Sequence, residues 1–156
     1  MHIRLIAVGD RQPSWVDDAF GTYAERLPRE WKFRLDTVAT ARRPKNSDAS
    51  AAVEAEGRKV LGLLKGAEQI VVLDERGTEL SSVGLSQSLA AWQSAGNNLS
   101  FVIGGPDGVS TALTARADFR WSLSKLTLPH GLARVLFAEQ LYRAWTVSSG
   151  HPYHRS

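Results

Sequence analysis

The stretch FVIGGPDG, residues 101–108, carries three apolar residues into a glycine pair, a proline, an aspartate and a third glycine. A strand runs off its end into a tight loop. In open α/β sheets a loop at the carboxyl end of a strand is where ligands are held. The spacing fits neither familiar phosphate loop. A P-loop closes on Gly-Lys-Ser/Thr, yet no lysine follows Gly104, Gly105 or Gly108. A dinucleotide fingerprint needs G-x-G-x-x-G in the first βαβ unit, whereas this doublet is adjacent and falls late in the chain. Pro106 also removes a backbone donor that a phosphate would use. Two readings stay open: a plain turn whose glycines supply positive φ, or a backbone-lined ligand contact. Asp107 is read as a turn residue in preference to a partner for a ligand cation.

Outward from this stretch, QIVVLD (69–74) and LSFVIG (99–104) are short continuous apolar runs, the pattern of parallel strands covered on both faces. HIRLIAV (2–8) and FRWSLS (119–124) read as further strands. KFRLDTV (32–38) alternates polar and apolar residues and suits a half-buried or edge strand. Helical patterns lie between. One opens at Pro13 and runs to Leu27, with Trp15, Ala19, Tyr23 and Leu27 on one face. A second covers roughly 48–64, capped by Asn46, Ser47 or Asp48, with Val53, Val60, Leu61 and Leu64 as its apolar positions. SSVGLSQSLAAWQSAG ends at Gly96, TALTARA follows a Ser110 cap, and the last helix spans Leu132 to Val147. The alternation predicts an α/β fold in one domain, 1–156: a mainly parallel sheet with helices on both faces. LDERGTE (73–79), IGGPDG (103–108) and SLSKLTLPHG (122–131) then fall at strand ends, and a ligand touching all three is held mostly by backbone.

A chain of 156 residues can bury a real core without covalent staples. Hydrophobic content of 43% and charged content of 22% are ordinary for a soluble domain. The absence of cysteine excludes disulfides, thiolate zinc sites and thiol nucleophiles, and is compatible with a reducing cytoplasm. MHIRLIAVGD reads as a strand and not as a secretory signal. No run reaches the ~18 apolar residues of a membrane span. A net charge of +3 permits a nucleic-acid partner without demanding one.

Familiar hydrolase and metal motifs are missing. There is no G-x-S-x-G elbow, and His2, His130, His151 and His154 form no H-E-x-x-H pair. Pro152 interrupts the only histidines at helical spacing, so no metal site is expected. Glu139 and Arg143 read as an i,i+4 ion pair.

Taken together, IGGPDG, WSLSKLTLPHGLARVLFAEQLYRAW and HPYHRS resemble the RlmH family, large-subunit ribosomal RNA pseudouridine N3-methyltransferases of the SPOUT superfamily. AVGD and RRPKN extend the resemblance over essentially the whole chain. It implies an S-adenosyl-L-methionine-dependent enzyme acting on 23S rRNA of the assembled ribosome in the cytoplasm. It also implies a homodimer, and a C-terminal part threaded as a deep trefoil knot that holds the cofactor. Periodicity alone would exclude a knot by default. The family's cofactor contacts fall on Leu73, on Gly104 with Gly105 beside it, and on Leu123, Ser124, Lys125, Leu126, Thr127 and Leu128. Relatives vary at the position of Lys125, which a main-chain contact tolerates. Leu73, Leu126 and Leu128 would form an apolar slot for adenine. Methyl transfer from a sulfonium needs in-line placement more than an acid–base dyad. The rival implications are a SPOUT enzyme acting on tRNA and a non-catalytic ribosome-binding factor.

On the acceptor side, the N3 proton of a pseudouridine must leave. Within the resemblance, His154 is the candidate base, Arg155 the phosphate or anion partner, and Tyr153 a stacking or hydrogen-bonding group. Arg42, Arg43 and Lys45 are either a solvated cluster or contacts to the rRNA backbone. No separate RNA-binding module is present, so recognition would come from the catalytic domain, through shape.

Overall fold

The apolar runs become a five-stranded sheet in which every neighbouring pair is parallel. Its strands are β1 (Ile3–Val8), β2 (Arg34–Val38), β3 (Gln69–Glu79), β4 (Leu99–Ile103) and β5 (Phe119–Ser122), in the order β2-β1-β4-β3-β5. The helices are α1 (Ser14–Ala24), α2 (Ser50–Leu63), α3 (Ser82–Ser94), α4 (Thr111–Arg116) and α5 (His130–Ser149). This is a computed structural model, and it describes all residues except Ser47, Lys65, Ala67, Asn97, Arg155 and Ser156.

Side chains alternate across the strands and fill two separate cores. Leu5, Val71 and Phe101 point to one side, where they meet Phe20 of α1, Leu85 of α3 and Phe137 of α5. Ile6, Val72 and Val102 point to the other, against Val60 of α2 and Leu113 of α4. The rings of Phe101 and Phe137 stand 4.8 Å apart, edge to face, so α5 is anchored over the centre of the sheet. The two crossovers that step toward β2 carry α1 and α3 on one face. The two that step toward β5 carry α2 and α4 on the other. A constant right-handed crossover requires this alternation.

Several expected boundaries moved, each for a physical reason. The buried residues of α1 are Val16 and Phe20, while Trp15 is 54% exposed, so the core-facing stripe lies one residue beyond the expected one. That helix stops at Ala24, and a short 3-10 turn at Arg29–Trp31 follows Pro28. The α2 N-cap is Ala49, and Asp48 instead accepts from the Ser50 amide at 3.1 Å; the Ser47 alternative lies outside the described residues. The α5 helix starts at His130, because Pro129 supplies the pre-set φ of an N-terminal boundary. LDERGTE, expected as a loop, is the continuation of β3 through an irregularity in which Leu73 and Thr78 both pair with Trp121.

At the amino end of the sheet a buried polar network ties three strands together. Arg4 of β1 donates to Ser100 of β4 at 2.9 Å, to Glu68 at 2.9 and 3.1 Å, and to the Leu63 carbonyl. It also pairs with Asp36 of β2 at 3.4 Å, and Ser100 donates to Glu68 at 2.6 Å. Every charge here has partners, the condition on which a buried ion pair is tolerated. Replacing Arg4 with methionine strands the Glu68 carboxylate. We expect a loss of about 3 kcal/mol, a fall in Tm of roughly 6–12 °C by calorimetry. Adding Glu68→Gln to Arg4→Met should recover about half of it.

Candidate functional site

Beyond the carboxyl ends of β3, β4 and β5 lies a cavity of about 830 Å³. Three segments make most of its lining: the irregular part of β3 (Leu73–Arg76), the loop after β4 (Gly104–Val109) and the segment after β5 that enters α5 (Leu123 to His130, without Lys125), with Thr111 and Thr114 of α4 and Arg120 of β5 beside them. Leu73, Gly104, Gly105, Leu123, Ser124, Leu126, Thr127 and Leu128, all expected to touch a cofactor, are on its walls. Lys125 is not. Its side chain is 88% exposed and its ammonium sits 3.7 Å from Glu79. Leu126 forms an open rim, 74% exposed, while Leu73 and Leu128 are half-buried.

A side-chain bond holds the segment after β5 against β3, Thr127 donating to Glu75 at 3.0 Å, and within the segment Ser124 Oγ accepts from the Leu126 amide at 2.9 Å. Burial opposes ionisation of Asp74, but the Arg76 amide and the Arg120 guanidinium prevail and hold its carboxyl below the usual carboxylate range. Asp74 is therefore ionised at neutral pH, and Arg120 answers its charge at 2.6 Å, so this part of the wall is an ion pair that Arg76 also borders.

At the loop after β4 the structure shows the turn. The Gly105 carbonyl accepts from the Gly108 amide at 3.1 Å, closing a turn over Pro106 and Asp107, and Gly108 has φ of +86°. The reason for glycine at 104 and 105 is in the protein itself. A Cβ at 104 would stand 2.6 Å from Val109 Cγ1 and 2.8 Å from the Gly108 carbonyl oxygen. One at 105 would stand 3.0 Å from Glu56 Oε1 and 3.1 Å from Val8 Cγ1. Backbone is pressed against backbone and against a buried carboxylate.

That carboxylate engages the RRPKN loop. Arg43 donates to Glu56 at 2.8 and 3.1 Å, to Asp107 at 2.6 Å and to the Ala41 carbonyl at 2.9 Å. Hydrogen bonds to Glu56, then to Asp107, raise the guanidinium above its ordinary pKa. Arg43 is therefore a clamp between α2 and the Gly104 loop, whereas Arg42 and Lys45 stand exposed on the same segment.

The tail residues lie elsewhere. Tyr153 packs edge-on against Tyr142 at 4.7 Å, lies under the Arg143 guanidinium at 5.1 Å and donates to Glu139 at 3.1 Å. Glu139 also accepts from Arg143 Nε at 2.9 Å, the expected i,i+4 pair with an added task. Burial, then the charge of Glu139, pushes the Tyr153 phenol up to about 12, so it is a neutral donor near pH 7. His154 Nδ1 is buried without a hydrogen-bond partner among the described residues; Arg155 lies outside them. Glu139 is nine residues into α5 from His130, ~13 Å along the axis at 1.5 Å per residue. Neither Tyr153 nor His154 lines the cavity of its own chain. Sequence reading passed over Asp74, Glu75 and His130, which do line it; the position of His130 directly after a strand-end loop was the available signal.

The chain matches a family model described as "Predicted SPOUT methyltransferase" over residues 1–154. It is 46% identical over 155 residues to a ribosomal RNA large subunit methyltransferase H of Thioalkalivibrio sulfidiphilus, the alignment covering 99% of each chain. It is likewise 46% identical, with 99% of each chain covered, to a ribosomal RNA large subunit methyltransferase H of Hahella chejuensis. Among solved structures, the fold is similar to that of a probable methylase family protein from Haemophilus influenzae. The TM-score is 0.54 at 14% identity, over 97% of this chain and 67% of that one.

Arg43→Gln leaves Glu56 buried with only backbone help. Thermal melts should show a loss of about 2–3 kcal/mol, whereas Arg42→Gln on the exposed side should stay within about 0.5 kcal/mol of the parent.

Proposed function

This chain belongs to the SPOUT methyltransferase family, and on that premise we propose that it methylates N3 of a pseudouridine in 23S rRNA of the assembled ribosome, using S-adenosyl-L-methionine. The observation that carries the reading is the cavity at three strand ends, walled by eight of the nine residues at which the resemblance places cofactor contacts. The walls fit that group. Leu73, Ile103 and Leu128 offer apolar surface to an adenine, and the loop after β4 offers backbone for amide contacts. The cofactor supplies a methyl group on a sulfonium, already electrophilic. The protein's part is to hold donor and acceptor in line and to keep water away.

The acceptor N3 loses a proton as the N–C bond forms. His154 is the base in this reading, Arg155 steadies the developing anion or a phosphate, and Tyr153, its proton held by Glu139, offers a ring to stack on or a phenolic oxygen that accepts. Tyr153 and His154 serve a cavity they do not line, so the reading requires two copies of the chain: the tail of one protomer faces the cavity of its partner. Leu132 and Leu136, one turn apart on α5, are 41% and 39% exposed, an apolar stripe beside the cavity that a second copy would cover. The segment 123–130 bonds to β3 through Thr127 and to the β4 loop through His130, and in this reading the C-terminal part of the chain is threaded there as a trefoil knot. Arg42 and Lys45 contact the rRNA backbone. Described residues include no helix long and apolar enough to cross a membrane, and an enzyme that works on assembled ribosomes acts in the cytoplasm.

The experiment is to supply methyl-labelled cofactor with 70S ribosomes in one reaction and tRNA in another. Label should enter 23S rRNA and be recovered as a singly methylated pseudouridine; label in tRNA, or none in either, contradicts the proposal. His154→Ala should lower kcat by about 100-fold or more while cofactor affinity stays within about threefold.

A further inference from the structure

Arg134 is large, cationic and 1% exposed, and no carboxylate lies within ion-pair distance of it among the described residues. Its Nη2 donates to the Gly9 carbonyl at 2.7 Å and approaches His130 Nε2 at 3.0 Å. Its Nε is buried with no hydrogen-bond partner among the described residues. A buried, under-satisfied cation works against stability. On the other side of the imidazole, His130 Nδ1 lies 3.1 Å from the Gly104 carbonyl oxygen.

The proton positions in this chain of contacts are determined by chemistry. A guanidinium can only donate, so His130 Nε2 must accept. The ring proton then sits on Nδ1 and is donated to Gly104. Burial of the ring, and then the charge of Arg134, lower the His130 pKa and keep it neutral. A peptide unit is planar, so holding the Gly104 carbonyl fixes the orientation of the whole 104–105 peptide in the cavity wall.

We propose that Arg134 and His130 are positioning residues for the methyl transfer: Arg134 locks His130 in the Nδ1–H tautomer, and His130 holds the Gly104–Gly105 peptide in the orientation the cofactor meets. The contact to Gly9 extends the arrangement to the end of β1, so the loop after β1, the loop after β4 and the start of α5 share one cation. The inference rests on the reading that this cavity takes S-adenosyl-L-methionine, and its test separates the two.

The first arm needs no cofactor. In ring-15N-labelled wild-type protein, His130 should show a protonated Nδ1 and a pyridine-like Nε2. Arg134→Leu should release the ring toward the Nε2–H form that free imidazole side chains favour. A wild-type His130 in the Nε2–H form, or a positively charged His130 at neutral pH, overturns the relay. The second arm measures kinetics with the cofactor. His130→Asn places an amide N–H near the position of Nδ1 and should stay within about threefold of wild type. His130→Leu removes the donor and should raise KM for the cofactor about tenfold or more, with kcat changed by less than about threefold. Equal behaviour of the two variants overturns positioning through Gly104. Failure of the wild type to bind the cofactor overturns the functional reading instead, and the ring spectrum still decides the relay.

Discussion

The Glu56 carboxylate lies against the backbone of Gly105, 3.0 Å from where a side chain would begin. One residue earlier, Gly104 leaves the same narrow gap against the returning chain at Gly108 and Val109. This packing has two requirements. Glycine must stand at both positions, and the buried charge of Glu56 must be answered, which Arg43 does from the RRPKN loop while also holding Asp107 across the turn. A turn that would otherwise be a mobile surface connection becomes a fixed wall. Its rigidity comes from elements far apart in the chain: α2, the loop before it, and β1 through Val8.

That wall matters because the chemistry asks for placement. A methyl group on a sulfonium needs no activation by the protein, but its transfer depends steeply on alignment, and misplacement by about 1 Å can remove two orders of magnitude in rate. A cavity walled by backbone and by short, bonded side chains such as Ser124 and Thr127 holds its shape better than one built from long charged side chains. The division of labour follows. One end of α5 opens at the cavity with His130; toward the other, Glu139 and Arg143 organise Tyr153. A single copy keeps these groups ~13 Å apart along the helix, and the proposed pairing of two copies would bring them to one site.

Much of this was legible in the sequence. The continuous apolar runs marked central parallel strands because both faces of the sheet are covered, the alternating run marked β2 as an edge, and Ser110 does cap α4, accepting from the Leu113 amide at 3.1 Å. The misreading of α1 has a simple cause. Trp15-Ala19-Tyr23 and Val16-Phe20 are both acceptable apolar series, and only packing against α5 decides between them. The role of Arg43 was out of reach because its partners lie 13 and 64 residues away. Local pattern shows a basic loop; it cannot show that one of its cations is spent internally. Lys125 was expected to act through its main chain, and the structure turns its side chain outward to Glu79.

The central claim is that this backbone-walled cavity is a nucleoside site for S-adenosyl-L-methionine and not a polyphosphate site. Amide chemical-shift mapping tests it most directly. Titration with the cofactor should move the amides of 73–76, 104–109 and 123–130, Pro106 and Pro129 excepted, and leave the Arg4 network at the opposite end of the sheet unmoved, while inorganic tripolyphosphate at the same concentration should move none of them. Shifts scattered outside those three segments, or an equal response to tripolyphosphate, would contradict the account.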